Sequence, residues 1–437
     1  MYIYWSISES IVFTHLWEQA LIKRKLAEFN RLQLAQLGRE YMLCAQFNSR
    51  TGYAALRINH GDEAYKDVAI ANWMGASPVY TRRMQKAMGF AGGTDVATIF
   101  KGLQLECGFT HQYFDVHFEV IAADSGRFWL DSCGALLETE PRGADAVKVM
   151  CHDIEDPTFN ATAVATNARA RMVPIHRPPR ARTDREPHCE WRVDIDPDAI
   201  PVMEPDIARV MSGTRLANLA IERPVSAEPG GMDDYSGSVF EQLQLEQLSQ
   251  GALVVVCSEL AVQIHLLIDG LMRSVADRYG EAAAHAVGEF QMQGSCWVMS
   301  NRLREWLGCT GSDIDDVIDV LEIHPAFQPR EYWSVTVDRL DEHRASLELL
   351  ECPAAEEKMP YGWHSLLAQH MDSGLEGLVK GVNPRASIVR SDKSRLAWHI
   401  NVDQVGNVEE EPLSVQVAKG TVLYQTHLTD HIPLLQL

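Results

Sequence analysis

Apolar residues along this chain recur at two periods, and the switch between them happens twice. Over residues 8–37, Ile11, His15, Leu16, Ala20, Leu26, Phe29 and Leu32 recur mostly at three- and four-residue steps, which predicts a helix. Glu40 to Met88 continues in the helical period, with loops expected near Gly61 and Pro78. Gly89-Phe90-Ala91-Gly92-Gly93 predicts a helix stop, and Thr94 a cap for a helix running to about Leu105. The period then falls to two. From Tyr113 to Ile121, Phe114, Val116, Phe118 and Val120 alternate with Asp115, His117 and Glu119. Asp124-Ser125-Gly126 predicts a turn, and Arg127 to Cys133 the returning strand of a hairpin. Further strands are expected at Val147–His152 and Cys189–Asp196, with a short helix from Thr158 to Thr166 between them.

The plan then repeats. Helical spacing runs from Leu243 to Phe290 and from Ile314 to Ile323. Tyr332–Leu340 and Ala345–Cys352 predict a second hairpin, Leu396–Val402 a last strand, and Thr421–Gln425 one more strand. Gly89 set on Gly308 (308 − 89 = 219) also aligns Arg83 with Arg302, Ile99 with Ile318, Tyr113 with Tyr332 and Cys133 with Cys352. Nearer the start, an offset of 250 places His15-Leu16 on His265-Leu266. Self-similarity this long predicts a duplicated domain of class α+β, each copy an antiparallel sheet with helices packed on it, the two related by a pseudo-twofold axis. The first copy is expected over 1–226 and the second over 238–437, joined by a linker at 227–237 rich in Gly, Pro, Asp and Ser.

Composition narrows the function classes. A length of 437 residues exceeds one ordinary core and fits two. A net charge of −21 argues against a nucleic-acid-binding surface, and no helix-turn-helix or zinc-finger spacing is visible. No apolar run is long enough to predict a membrane span, and Met1 to Phe13 lacks the basic leader of a signal peptide. Nine scattered cysteines point to reduced thiols and a cytoplasmic protein. No Gly-x-Gly-x-x-Gly follows a strand, so no nucleotide cofactor is expected.

Reactive side chains crowd the first copy. Cys151-His152-Asp153-Ile154-Glu155 is followed by His176-Arg177-Pro178-Pro179-Arg180 and by His188-Cys189-Glu190-Trp191. Thiolate and imidazole suit zinc, and a thiol beside a histidine also suits nucleophilic chemistry. Buried small hydrophobes at strand ends would explain the cysteines equally well. Cys133 has a counterpart in Cys352, whereas Cys151 and Cys189 have none, which sets the first copy apart. Arg169, Arg171, Arg177, Arg180, Arg182 and Arg185 crowd one stretch; they fit either an anion clamp or a solvated basic loop. His117, on the polar face of its strand, is a further binding candidate or a plain solvent-facing residue.

The order of helix, hairpin, Cys151, helix, basic loop and His188-Cys189-Glu190-Trp191 resembles two families over about residues 40–196, and again over 280–403. One is the four-vinyl-reductase-type small-molecule-binding domain of bacterial sensors of aromatics; the other is the L-2-aminothiazoline-4-carboxylate hydrolase family. The first resemblance implies a zinc held by cysteines and a glutamate, with Cys151 and Cys189 at matching positions. The cysteine that family carries shortly before its last one is absent here, and the loop carries His176 instead. The candidate metal set is therefore Cys133, Cys151, His176 and Cys189.

The leading expectation is a hydrolase or lyase acting on a small carboxylate-bearing substrate. Cys151, or a metal-bound water, would be the nucleophile, with His152 and Glu155 as acid–base groups. His176, Arg177, Arg180 and His117 would bind substrate. The alternatives are a non-catalytic small-molecule-binding protein with a structural zinc, and a non-catalytic partner subunit. A homodimer is the expected assembly, with no nucleic-acid or membrane partner.

Overall fold

The computed structural model describes residues 26–358, 360–391, 396–403, 408 and 410–420. The first 25 residues, including most of the helix expected over 8–37 and His15 with its offset of 250, lie outside the described residues, as does the strand expected at Thr421–Gln425. Arg31–Ala87 forms α1, opened by a capping box: Asn30 Oδ1 accepts from the Gln33 amide at 2.9 Å, and Gln33 Oε1 accepts from the Asn30 amide at 3.0 Å. The loops expected near Gly61 and Pro78 are not there. Gly61, at φ 85°, breaks the direction of α1, and Pro78 is carried inside the helix. A side chain at Gly61 would be strained by that φ. Gln250–Tyr279 (α6) and Glu281–Leu307 (α7) repeat the arrangement, meeting at Gly280 with φ 86°. The expected single helical region of the second half is thus two helices at a glycine break, and 280 − 61 is again 219.

The first sheet holds β1 (Phe114–Ala122), β2 (Ser125–Cys133), β3 (Ala170–His176) and β4 (Cys189–Ile195) in the order β1-β2-β4-β3, all antiparallel. The second holds β5 (Val335–Arg339), β6 (Arg344–Leu349), β7 (Ala386–Arg390) and β8 (Ala397–Val402) in the order β5-β6-β8-β7. The chain is therefore a mixture of helices with two four-stranded antiparallel sheets. Val96–Leu103 (α2) and Glu155–Val164 (α4) lie against the first sheet; Ile314–Ile323 (α8) and Ser373–Val382 (α10) lie against the second. Between α2 and α4, Gly134–Thr139 (α3) follows the hairpin; Asp206–Ser212 (α5) packs on α1, and Trp363–Ala368 (α9) and Leu413–Lys419 (α11) pack on α7.

Two expectations are corrected here. Val147–His152 is not a strand: Ala144–Lys148 is helical and Val149–Ile154 is a π-helical stretch. Val147, Cys151 and Ile154 are its buried residues, at steps of four and three, which is a helical stripe. The edge of the sheet is taken by β3, where Pro174 is tolerated because an edge strand needs fewer ladder bonds. The cap of α2 is Asp95 rather than Thr94: Asp95 Oδ1 accepts from the Thr98 amide at 2.9 Å.

Inward side chains of the first sheet, including Phe128, Leu130, Trp191 and Val193, form a core with Val96, Ile99, Phe100 and Phe109. The long helices α1, α6 and α7 share a larger core with the second sheet. Helix α6 is the one helix among the described residues long and apolar enough to cross a bilayer, and its apolar stretch is wholly buried in the protein. A helix apolar on every face, surrounded by other elements, is a core helix. Two buried ion pairs clamp the long helices. Arg83 Nε and Nη2 donate to Glu259 at 2.9 and 2.8 Å, and Arg302 Nε and Nη2 donate to Glu40 at 2.6 and 2.7 Å. Residues 213–249 cross between the halves with two short 3-10 turns, Leu216–Asn218 and Leu245–Gln247. Tyr235, inside the expected linker, is fully buried against Phe90 and Phe240.

Candidate functional site

A cavity of about 390 Å³ lies between α1, the first sheet and the stretch that follows β2. Its size falls in the range of small-molecule sites, roughly 300–1,000 Å³. Helix α1 builds one wall by spacing alone. Gln46, Arg50, Tyr53 and Arg57 precede the Gly61 break, and Tyr65, Ala69, Trp73, Ser77 and Tyr80 follow it, all at steps of three or four. Phe109, Phe114, Leu130, Cys133 and Cys189 come from the sheet side, and Glu138, Arg142, Glu155 and Phe159 from the segments between β2 and β3. Val417 of α11 also lines it.

The polar groups fall into separate regions. Arg142 is close enough to act on both Arg50 and Arg57, and burial pulls the Arg50 and Arg57 guanidiniums below their ordinary pKa. Arg50 pairs with Glu138; Arg57 pairs with Asp62 at 2.9 Å and lies 3.9 Å over the Tyr65 ring. Glu106 stands apart from them. Burial alone pushes its carboxyl well above the usual range, with no cation among the described residues acting on it. Its Oε2, the Tyr80 hydroxyl, the Ser49 and Ser77 hydroxyls and Arg50 Nη1 are buried without a hydrogen-bond partner among the described residues. Buried polar atoms are normally bonded, so such a group of atoms around one cavity marks where a bound molecule would be held.

Glu155 is the third region. Burial raises its carboxyl from 4.5 to about 8, against the lowering pull of Arg177. Its side chain is half-buried and lines the cavity. The same carboxyl acts on three thiols. Burial first, then Glu155, pushes Cys133 up to about 12 and Cys151 and Cys189 upward as well. A thiol so held stays protonated, which is the inert form.

The nominated residues are distributed as follows. Cys133, Cys189 and Glu155 line the cavity; Cys151 is buried in the sheet core beside them. The ring of His152 faces the Pro178 carbonyl at 2.7 Å, and no thiol or carboxyl is bonded to it. Arg177 pairs with Asp156 and donates to the Cys151 carbonyl; Arg180, its side chain 4% exposed, holds Glu140 with bonds of 2.8 and 2.7 Å. His176 lies opposite Glu190 on the β3–β4 ladder. His117, His176, Arg177 and Arg180 are not among the cavity-lining residues. Sequence reasoning did not single out Arg50, Tyr53, Arg57, Trp73, Tyr80 or Glu106. The signal available for the α1 residues was a polar-aromatic stripe at helical spacing.

The thiols and Glu155 are donor types that zinc accepts. Yet the one set of three or more ligand atoms within 4.8 Å of one another among the described residues is Asp115, His117 and Asp131. No three of Cys133, Cys151, Cys189 and Glu155 converge in that way, and His176 does not join them. On the outer face of the first sheet, His117 Nε2 lies 3.2 Å from Asp131 and 3.4 Å from Asp115, while Nδ1 meets Glu241 at 2.8 Å. A carboxylate on the far ring nitrogen orients an imidazole for a metal. This group can hold an ion.

Comparison of the chain with protein-family models, with curated proteins and with solved structures finds no match.

Proposed function

We propose that this protein binds a compact aromatic molecule bearing an acidic group in the cavity of its first half. The observation that carries this is the aromatic cavity with guanidinium groups in one region and, in another, the buried Glu106 carboxyl, whose Oε2 has no hydrogen-bond partner among the described residues. Tyr53, Tyr65, Trp73, Phe109 and Phe159 offer faces and edges to a ring. Arg57 and Arg50 would meet a carboxylate, and neutral Glu106 with Tyr80 would hydrogen-bond a hydroxyl or carbonyl on the far side of the ring. Isothermal titration with 4-hydroxybenzoate, benzoate and phenol tests this. The expectation is tightest binding for 4-hydroxybenzoate. Arg57→Gln should weaken both acids but not phenol, and Glu106→Leu should remove the advantage of the 4-hydroxyl. Absence of saturable binding by all three compounds at millimolar concentration would defeat the proposal.

A second reading follows from Glu155. A cavity carboxyl with a pKa near neutrality is a competent general acid or base. A hydrolase or lyase of small carboxylates built on Glu155 would lose turnover in Glu155→Gln while keeping ligand binding. The buried, protonated Cys151 favours this carboxyl over a thiol nucleophile. For the metal, zinc is the proposal, since an imidazole with two carboxylates is a zinc donor set. Elemental mass spectrometry on wild type and His117→Ala tests it; zinc absent from wild type, or retained by the variant, rejects it.

We further infer an internal duplication about a pseudo-twofold axis, with halves over 1–226 and 238–437. The offset of 219 supports this in several independent ways. It relates the Gly61 and Gly280 breaks, and it exchanges the two clamps: 40 + 219 gives Glu259, and 83 + 219 gives Arg302. Reciprocal contacts of this kind characterise a twofold interface. On this reading the second half serves as the fixed partner of the first.

A further inference from the structure

We infer that the second half carries a ligand site of its own, a box for a small organic cation, with Asp269 as the counter-ion. A cavity of about 210 Å³ lies there, walled by Tyr332, Trp333, Tyr361 and Trp363, with Asp269 and Glu357 as its acids. The carboxyl of Asp269 is 5% exposed on α6. No hydrogen bond or ion pair reaches it among the described residues. It reaches the cavity beside Gly362, where an added Cβ would lie 2.3 Å from its Oδ1. An aspartate buried without a partner costs stability unless something else occupies that role.

The chemistry of the walls selects the ligand. Among the described residues, no Lys or Arg lines this cavity. His265 Nε2 lies 3.0 Å from both Trp333 Nε1 and the Gln328 carbonyl, and burial holds its pKa down to about 4. Burial lowers His364 likewise. Both imidazoles are therefore neutral at physiological pH. Glu357 accepts from the backbone amides of Arg215, Leu216 and Lys358 at 3.2, 3.1 and 2.9 Å. The Tyr332 hydroxyl stands 3.5 Å from it. Arg273 lies 5.8 Å over the Tyr361 ring but is held by Asp277 at 2.8 Å. Among the described residues, the cavity thus presents two acids and four aromatic rings and no lysine or arginine. Ring faces attract ammonium groups, most strongly when desolvated. A hard metal ion would need six or more oxygen ligands, which two carboxyls among indoles and phenols do not supply.

Comparison with the first half sharpens the point. Asp269 stands 219 residues after Arg50, Tyr332 after Tyr113, Trp333 after Phe114 and Ala354 after Ala135. Each of these residues lines its own cavity. At the position where the first cavity offers a guanidinium, the second offers a carboxyl. The two sites are matched to ligands of opposite charge, and each can be tested without the other.

Burial and the charge of Glu357 push Asp269 well above the usual carboxylate range. Cation binding would then expel its proton, so affinity should rise with pH, by up to about tenfold per unit. The test is calorimetric titration of the full chain with tetramethylammonium and n-butylammonium chlorides against equimolar sodium chloride, at pH 6 and pH 8. The expected result is one saturable site for at least one of the two cations, tighter at pH 8, with binding at least tenfold weaker in Asp269→Asn. Saturation by neither cation, equal affinity at the two pH values, or undiminished binding in Asp269→Asn would overturn the inference. Should Asp269→Asn fail to fold, Tyr361→Leu, at a half-buried wall position, carries the test: weaker binding of the cation that saturates wild type supports the site, and unchanged binding rejects it. Titration of 4-hydroxybenzoate into the same samples reports the first cavity separately.

Discussion

Replacing Glu155 with Gln should stabilise this protein at neutral pH and leave it almost unchanged at pH 4.5. Burial against the cavity walls raises the folded carboxyl to about 8, whereas the unfolded chain titrates near 4.5. The stability contributed by the protonated form is therefore complete below pH 4.5 and is lost progressively as pH rises toward 8. Over that interval the unfolded chain releases a proton that the folded chain retains, at about 1.4 kcal/mol for each pH unit. By pH 7 the wild type would forfeit roughly 3 kcal/mol; water in the cavity screens the carboxyl, so about 2 kcal/mol is the better expectation. Glutamine keeps the shape and never ionises, so it escapes this loss. Urea unfolding of wild type and Glu155→Gln at pH 4.5, 6 and 7.5 measures the difference directly. The gap should open with pH, Glu155→Gln being the more stable. A gap independent of pH would refute the reasoning, because it would mean that Glu155 titrates alike in the folded and unfolded chains.

The remaining predictions concern the frame around the cavity. Glu40→Gln removes the carboxylate charge that faces the buried Arg302 guanidinium, and should cost about 3 kcal/mol in urea unfolding. The double change Glu40→Leu/Arg302→Met should recover most of that loss, since an apolar pair has no charge to desolvate. Gly294→Ala places a Cβ 2.3 Å from the Ser414 carbonyl oxygen of α11. It should lower stability by about 1–3 kcal/mol and, because Val417 of the same helix lines the cavity, weaken 4-hydroxybenzoate binding in the titration described above. Of the nine free thiols, Cys309 alone is not buried. Ellman's reagent should therefore titrate one thiol rapidly in the native protein and all nine in denaturant; rapid native reaction at Cys151 or Cys189 would contradict the burial described for them.

What the sequence shows and what it hides have a common physical cause. Alternating Phe114, Val116, Phe118 and the return through Arg127–Cys133 announce a hairpin because a strand with one buried face must alternate, and β1 and β2 stand there. Val147–His152 misleads because a short apolar run carries no period of its own, and the buried Val147, Cys151 and Ile154 belong to a helical stripe. The edge strand β3 escapes notice because Pro174 argues against a ladder, a constraint that an edge strand relaxes. The segment richest in reactive side chains misleads in a different way. Its charged residues find partners within the first half: Arg180 takes Glu140, Arg177 takes Asp156, Arg182 takes Asp184 at 2.6 Å, and His152 takes the Pro178 carbonyl. Density of charge along the chain here goes with pairing inside the protein.

The polar groups of the first cavity are dispersed along α1 and at Glu106 and are gathered only by the fold; Arg50 and Arg57 already face Glu138 and Asp62, so a ligand acid would share those guanidiniums. The self-similarity of the chain gives the means to find such positions. Setting one half on the other at 219 brings Arg50 onto Asp269, a reversal of charge at matching places on two cavity walls, while Tyr113 and Tyr332 stay alike beside them. Packing needs would preserve size and polarity at both places. A guanidinium on one wall facing a carboxyl on its counterpart is what two cavities would show if they had come to hold ligands of opposite charge. That contrast gives the paired titrations their force: an aromatic acid should answer to Arg57 and not to Asp269, and an organic cation to Asp269 and not to Arg57. If one substitution weakened both ligands equally, the two cavities would be parts of a single response, and the charge reversal would have to be explained by coupling between the halves through the Arg83–Glu259 and Arg302–Glu40 clamps.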